Sequence, residues 1–271
     1  MRFILWTWKR INMSNRKTIL HIVTAAMFIA LIAIFSFVPY LGFITIGPIS
    51  FTTVHIIVLL GCMLLGWKHG IIYGFFFGLF SFFQALSTAG TVNYLFVNPF
   101  VSILPRIIFG FVAGFAFDFL RKRCNGITFV GISAISAGLL TLFHTFITLT
   151  CLYVFGILDI FKISQALGLA EVLTTLKDLG FDNFGLFILG FVSFGCIAEI
   201  IGAALIVPSA GYGLIKGLGH SSFVQLGVIK KPNEENSMSK TKLVLLFVVT
   251  LIVLMGFLAG LIALYSTGTI S

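Results

Sequence analysis

What most constrains this chain is a succession of long, uninterrupted apolar segments at residues 19–38, 52–67, 70–86, 101–120, 127–157, 184–208 and 243–265. Most approach the roughly 17 to 25 residues that an α-helix needs to cross a bilayer. Every backbone N–H and C=O in hydrocarbon must be satisfied internally, and a barrel would need alternating strands of about ten residues, so unbroken runs mean helices. Only 9% of the residues are charged and 59% are hydrophobic, where a soluble domain carries about 25% charged residues. The expected fold is an all-α membrane protein: a six-helix transmembrane bundle plus one appended C-terminal transmembrane helix. The second and third segments are short and separated only by GWKHG, which predicts a tight helical hairpin with Gly66 and Gly70 marking the turn.

The basic residues set an expected orientation. Arg2, Lys9, Arg10, Arg16 and Lys17 precede the first segment, Lys68 lies in the hairpin turn, Arg121, Lys122 and Arg123 follow the fourth segment, and Lys216, Lys230, Lys231, Lys240 and Lys242 lie between the last two. These regions are assigned to the cytoplasm by the positive-inside rule. The intervening loops 39–51 and 87–100 hold no basic residue, and 158–183 holds Lys162 and Lys177 against Asp159, Glu171, Asp178 and Asp182. The N-terminus is therefore expected inside and the C-terminus outside. The net charge of +9 belongs to this one-sided distribution and points to the bilayer, not to nucleic acid.

The first apolar run is of spanning length and lacks an A-x-A-like site, so no cleaved signal peptide is expected. MSNRKTIL from Met13 has the look of a natural start, with residues 1–12 either an upstream extension or a short interfacial segment. The domain expectation is a cytoplasmic arm at 1–18, a six-helix substrate-binding membrane domain at 19–220, a cytoplasmic linker at 221–241 (with KKPNEENSMSK as its second half) and an additional helix with a short tail at 242–271. Gly256 and Gly260 give that last helix one G-x-x-x-G face.

Chemistry is sparse. The sequence has no phosphate-binding G-x-x-x-x-G-K-[ST], no H-E-x-x-H and no carboxylate pair at helical spacing, so ATP hydrolysis, zinc proteolysis and acid–base catalysis lack a basis. Cys62, Cys124, Cys151 and Cys196 form no C-x-x-C pair and read as small buried apolar residues. No catalytic residue, metal site or cofactor is expected, and the chain is not read as an enzyme.

The ionisable residues inside the spans are His55, Arg106, Asp118, His144 and Glu199. Asp118, one turn before Arg121 and Lys122, reads as half of a local ion pair. His55 follows Thr52 and Thr53 and either bonds a neighbouring carbonyl or faces a ligand. His144 stands with Thr141, Thr145 and Thr148 in a stripe facing either a cavity or another helix. Glu199 is expected nearer the inner half. Arg106 is the most demanding, because a guanidinium in hydrocarbon costs roughly 2.5 to 3.5 kcal/mol on insertion scales. It either bonds helix carbonyls freed by Pro105 or meets an anion with the help of Asn93, Tyr94 and Asn98. Ala26 and Ala30, and Gly70, Gly74 and Gly78, recur at four-residue spacing that permits close helix approach, within the chain or with a partner.

Taken in order, the alanine-spaced first helix, the loop IGPISFTTVH, the GWKHG hairpin with its glycine-spaced helix, and NP followed by LPRIIFG resemble the substrate-binding S components of energy-coupling factor (ECF) transporters over about residues 19–220. The pattern is most similar to pantothenate-specific members. The resemblance implies six helices that bind a vitamin with high affinity near the outer face, under the loops joining helices 1 to 2 and 3 to 4. It also implies transport driven by a transmembrane T component and two ATPases, with the S component toppling in the membrane to release its cargo. On this basis Arg106, Asn98, Asn93, Tyr94, Thr52, His55 and His144 are the expected substrate-binding residues, and Ala26 and Ala30 the expected partner interface. An S component for another water-soluble vitamin and a self-sufficient small-solute secondary transporter are the alternatives; the second would normally show inverted repeats and an intramembrane ion relay.

Overall fold

The computed structural model describes residues 2–38, 41–46, 49–87, 96–124, 126–157 and 194–218, with isolated positions between and beyond them. Residues 242–265, expected to form the appended helix, lie outside the described residues. The first element, α1 (Arg2–Phe37), is one continuous helix. It leads into an antiparallel pair, β1 (Phe43–Ile46) and β2 (Ile49–Thr52), in the register Phe43↔Thr52 to Ile46↔Ile49. Helices α2 (Val54–Leu65), α3 (Trp67–Ser87), α4 (Pro99–Ser102), α5 (Leu104–Arg123) and α6 (Gly126–Leu152) follow. A π-helical turn, Tyr153–Ile157, ends α6, and α7 spans Phe194–Gly217. Among the described residues, five helices are long and apolar enough to cross a membrane, with α2 as a shorter apolar helix.

The described residues are mostly helical, as expected, and the short hairpin is an addition to that expectation. FITI and ISFT are built almost wholly of β-branched and aromatic residues on either side of Gly47-Pro48, which is a strand–turn–strand pattern inside what reads as a loop between two spans. Its base is fixed at both neighbouring helices. Thr53 donates its N–H to the Gly42 carbonyl (2.8 Å) and its hydroxyl to the Leu41 carbonyl (2.5 Å). Gly42 itself lies so close to the Phe35 carbonyl and Val54 that a Cβ has no room.

The expected helical hairpin is present but tighter than GWKHG suggested. Gly66 alone makes the turn, at φ 87°, a value glycine adopts without steric cost, and Trp67, Lys68 and His69 already belong to α3. Helix α5 staples this elbow. Asp118 accepts from the Trp67 N–H (3.1 Å) at the start of α3 and pairs with Arg121 (2.8 Å), whose other terminal nitrogen donates to the Met63 carbonyl near the end of α2 (2.5 Å). The local ion pair is therefore real, and it also satisfies groups that helix ends leave without intrahelical partners.

Gly70, Gly74 and Gly78 of α3 pack on the backbone of α5 at Gly110, Arg106 and Ile103, close enough that an added Cβ at each would collide. These small residues serve packing within the bundle. Helix α2 is sheathed on all sides, its buried residues including His55, Val58, Leu59, Cys62 and Met63. Val228 and Ile229, in the stretch expected as a linker, are also buried against the core.

Helix α7 differs from the expected segment 184–208: it continues through Pro208 to Gly217. Apolar residues on both sides of Pro208 sustain the helix, and a proline in a membrane helix is tolerated where neighbouring groups satisfy the freed carbonyls. The shift moves Glu199 into the second turn of α7. It stands at the hairpin end of the bundle, against Thr52, and not in the half expected to face inward.

Candidate functional site

Arg106 sits in the first turn of α5, directly after Pro105. Proline has no N–H to give the carbonyl four residues back, here that of Val101, and Arg106 supplies it with a hydrogen bond from Nη1 (2.6 Å). The guanidinium is 4% exposed. It lies over two aromatic rings, 5.7 Å from the centroid of Phe77 and 5.2 Å from that of Phe96, each contact stabilising a cation. No carboxylate among the described residues pairs with it, and its Nε is buried without a hydrogen-bond partner. The carbonyl-bonding role read from sequence thus accounts for part of the guanidinium and leaves donor capacity over.

Phe77 carries the site onward. Its opposite neighbour is His144 of α6, stacked at 5.6 Å and 26°, while Phe109 of α5 meets the same imidazole edge-on at 4.7 Å. His144 in turn stacks on His55 of α2 at 5.5 Å and 16°. Four helices therefore bring Arg106, His144 and His55 into one buried group, lined by phenylalanines. His144 Nε2 has no hydrogen-bond partner, and neither ring nitrogen of the fully buried His55 completes a bond of ordinary geometry, although the Thr52 backbone is the polar group beside it. Buried polar atoms normally find partners, so this group holds donor and acceptor capacity that the described residues leave unused. One cation and two imidazoles, each able to donate or accept, suit a small polar anion.

The remaining expected residues fall out as follows. Asn98 is placed close by but is engaged: its Oδ1 caps α4 by accepting from the Phe100 N–H (3.0 Å), and its Nδ2 donates to the Phe155 carbonyl in the π-turn (3.2 Å). Thr52 is half-buried and gives its backbone N–H to the Glu199 carboxylate. Asn93 and Tyr94 lie outside the described residues. Ala26 and Ala30 stand on the face of α1 left open by the described residues, with Ile22, Val23, Met27 and Ile34 exposed beside them.

The aromatic wall and the Glu199 contact are what sequence reasoning missed. Phe77 was within reach of it, since it shares the face of α3 defined by Gly70, Gly74 and Gly78 at helical spacing. Phe109 and Phe96 are lost among the chain's 32 phenylalanines.

Comparison with known proteins supplies the setting. Residues 20–210 match the family described as ECF transporter, substrate-specific component. The chain is 31% identical over 209 residues to the pantothenate transporter PanT of Leuconostoc mesenteroides subsp. mesenteroides, covering 75% of this chain and 95% of that one. It is 26% identical over 123 residues to the pantothenic acid transporter PanT of Lactococcus lactis subsp. cremoris, covering 40% of this chain and 59% of that protein. With a membrane-helix bundle of this kind and a family match over most of its length, the chain is a multi-pass membrane protein that belongs to the substrate-specific components of ECF transporters.

Proposed function

We propose that this chain is the high-affinity vitamin-binding S component of an ECF-type importer, that its ligand is pantothenate, and that a separate T component with two ATPase subunits energises transport. The observation that carries the reading is the buried Arg106, with donor capacity to spare, beside His144 and His55. Pantothenate combines a carboxylate with an amide and two hydroxyls. Arg106 takes the carboxylate, and the imidazoles of His55 and His144, with Thr52, Asn93, Tyr94 and Asn98, serve the neutral polar groups. Similarity to two pantothenate transporters favours this ligand over another water-soluble vitamin.

In this reading the hairpin end of the bundle faces outward, the α2–α3 elbow and the N-terminus face the cytoplasm, and the C-terminus lies outside. Ala26 and Ala30 present a closely approachable surface to the T component. Ala30→Leu is therefore expected to leave pantothenate binding unchanged while uptake with the T component and ATPases falls severely. If binding and uptake fall together, these alanines pack within the S component.

Residues 242–265 form an additional helix in this reading, dispensable for binding. A chain ending after Lys231 keeps Val228 and Ile229, which are buried in the core, and is expected to retain ligand affinity in calorimetry. A truncated protein that folds without binding would place the additional helix in the pocket.

The test of function is reconstitution. Proteoliposomes holding this chain with a T component, ATPases and internal ATP are expected to accumulate labelled pantothenate, and those holding this chain alone to bind it without accumulation. Accumulation by the chain alone would make it a secondary transporter.

A further inference from the structure

Glu199 presents a carboxylate to the end of the β1–β2 hairpin. Its oxygen accepts the backbone N–H of Thr52, the last residue of β2. Opposed residues of an antiparallel pair alternate between hydrogen-bonded and unbonded positions. Thr52, opposite Phe43, turns its N–H away from β1, and Glu199 is what receives it. The carboxylate is aimed by its helix. One turn earlier Cys196 meets Thr145 of α6 (4.0 Å), and one turn later Gly202 packs at Ile56 of α2.

His55 follows Thr52 by three residues, in the first turn of α2. The chain leads from the Glu199 contact at Thr52 into the turn that carries His55, and ring contacts lead from there to His144, Phe77 and Arg106. We propose that Glu199 is a positioning residue of the binding site, holding the end of the β1–β2 hairpin and the His55 turn closed on the ligand. This rests on the reading of Arg106, His144 and His55 as the ligand site.

The contact is tethered to Thr52, whereas the hydrogen bonds of Thr53 to Gly42 and Leu41 close the base of the hairpin on itself. Losing Glu199 therefore frees the α7 side of the hairpin without dismantling its base. A glutamine keeps an acceptor oxygen at the same place, and an alanine does not.

Two measurements on the full chain decide the matter. In ligand-free protein, hydrogen exchange of peptides covering 43–56 is expected to accelerate in Glu199→Ala, with the rest of the bundle unchanged and Glu199→Gln close to wild type. With tritiated pantothenate as the probe, Glu199→Ala is expected to release ligand about ten-fold faster with association within about two-fold of wild type, the scale of losing one charge-assisted hydrogen bond. Unchanged hairpin exchange in Glu199→Ala, faster exchange throughout the bundle, or a Glu199→Gln as impaired as Glu199→Ala would each overturn the proposal. Failure of the wild type to bind pantothenate would count against the functional reading alone, because the exchange measurement needs no ligand.

Discussion

Arg106→Ala is expected to weaken pantothenate binding by roughly ten- to one-hundred-fold in calorimetry, the loss of a charge-assisted hydrogen bond worth about 1.5 to 3 kcal/mol. The guanidinium is buried between Phe77 and Phe96, with one terminal nitrogen committed to Val101 and Nε without a partner. Alanine removes the cation and also leaves the Val101 carbonyl without the donor that replaces the missing proline N–H, so a melting curve has to accompany the titration. Arg106→Lys separates the two roles. Its ammonium can still serve the carbonyl or the anion, but it lacks the planar fork that meets both at once. Lysine is expected to recover much of the stability and little of the affinity. An alanine variant that binds as tightly as wild type would reduce Arg106 to a repair of the Pro105 break.

Arg121→Ala is expected to act on stability. Arg121 is 4% exposed and joins Asp118 to the Met63 carbonyl across the elbow. Alanine removes a charge-assisted hydrogen bond to Asp118, whose side chain is 13% exposed, and another to the Met63 carbonyl, each worth about 1.5 to 3 kcal/mol. In detergent that corresponds to an apparent Tm lower by roughly ten degrees or more. The double variant Asp118→Leu/Arg121→Leu leaves no unpaired charge and is expected to recover part of the loss, the Trp67 N–H remaining without its acceptor. Unchanged melting in Arg121→Ala would show that the elbow is held by Gly66 and apolar packing alone.

The spans were legible because hydrocarbon leaves few choices: apolar length and turn glycines carry over into α3, α5 and α6 with small shifts at their ends, and into α1, which however starts at Arg2, well before the expected residue 19. Asp118 with Arg121 was legible because the pair is local, at helical spacing. The hairpin was hidden because short strands between two apolar spans differ from them only in their density of β-branched and aromatic residues and in the Gly47-Pro48 break. Glu199 was misplaced because the helix bound was set at Pro208, while packing decides whether a proline ends a membrane helix.

Within the site, Arg106 announced itself by its cost in lipid. The histidines were ambiguous one at a time. His55 and His144 belong to different helices, and only the tertiary fold stacks them on each other and, through Phe77, beside Arg106. The same holds for Asn98, whose donor and acceptor are taken by Phe155 and Phe100, contacts that no local spacing reveals.

The central claim is the identity of the ligand, and the most direct measurement is mass spectrometry of the small molecule released on denaturing protein purified from cells grown in a medium containing all water-soluble vitamins. The account predicts pantothenate, lost from Arg106→Ala prepared in parallel. Release of a different vitamin from the wild type, or none together with no binding when pantothenate is titrated into the purified protein, would contradict it.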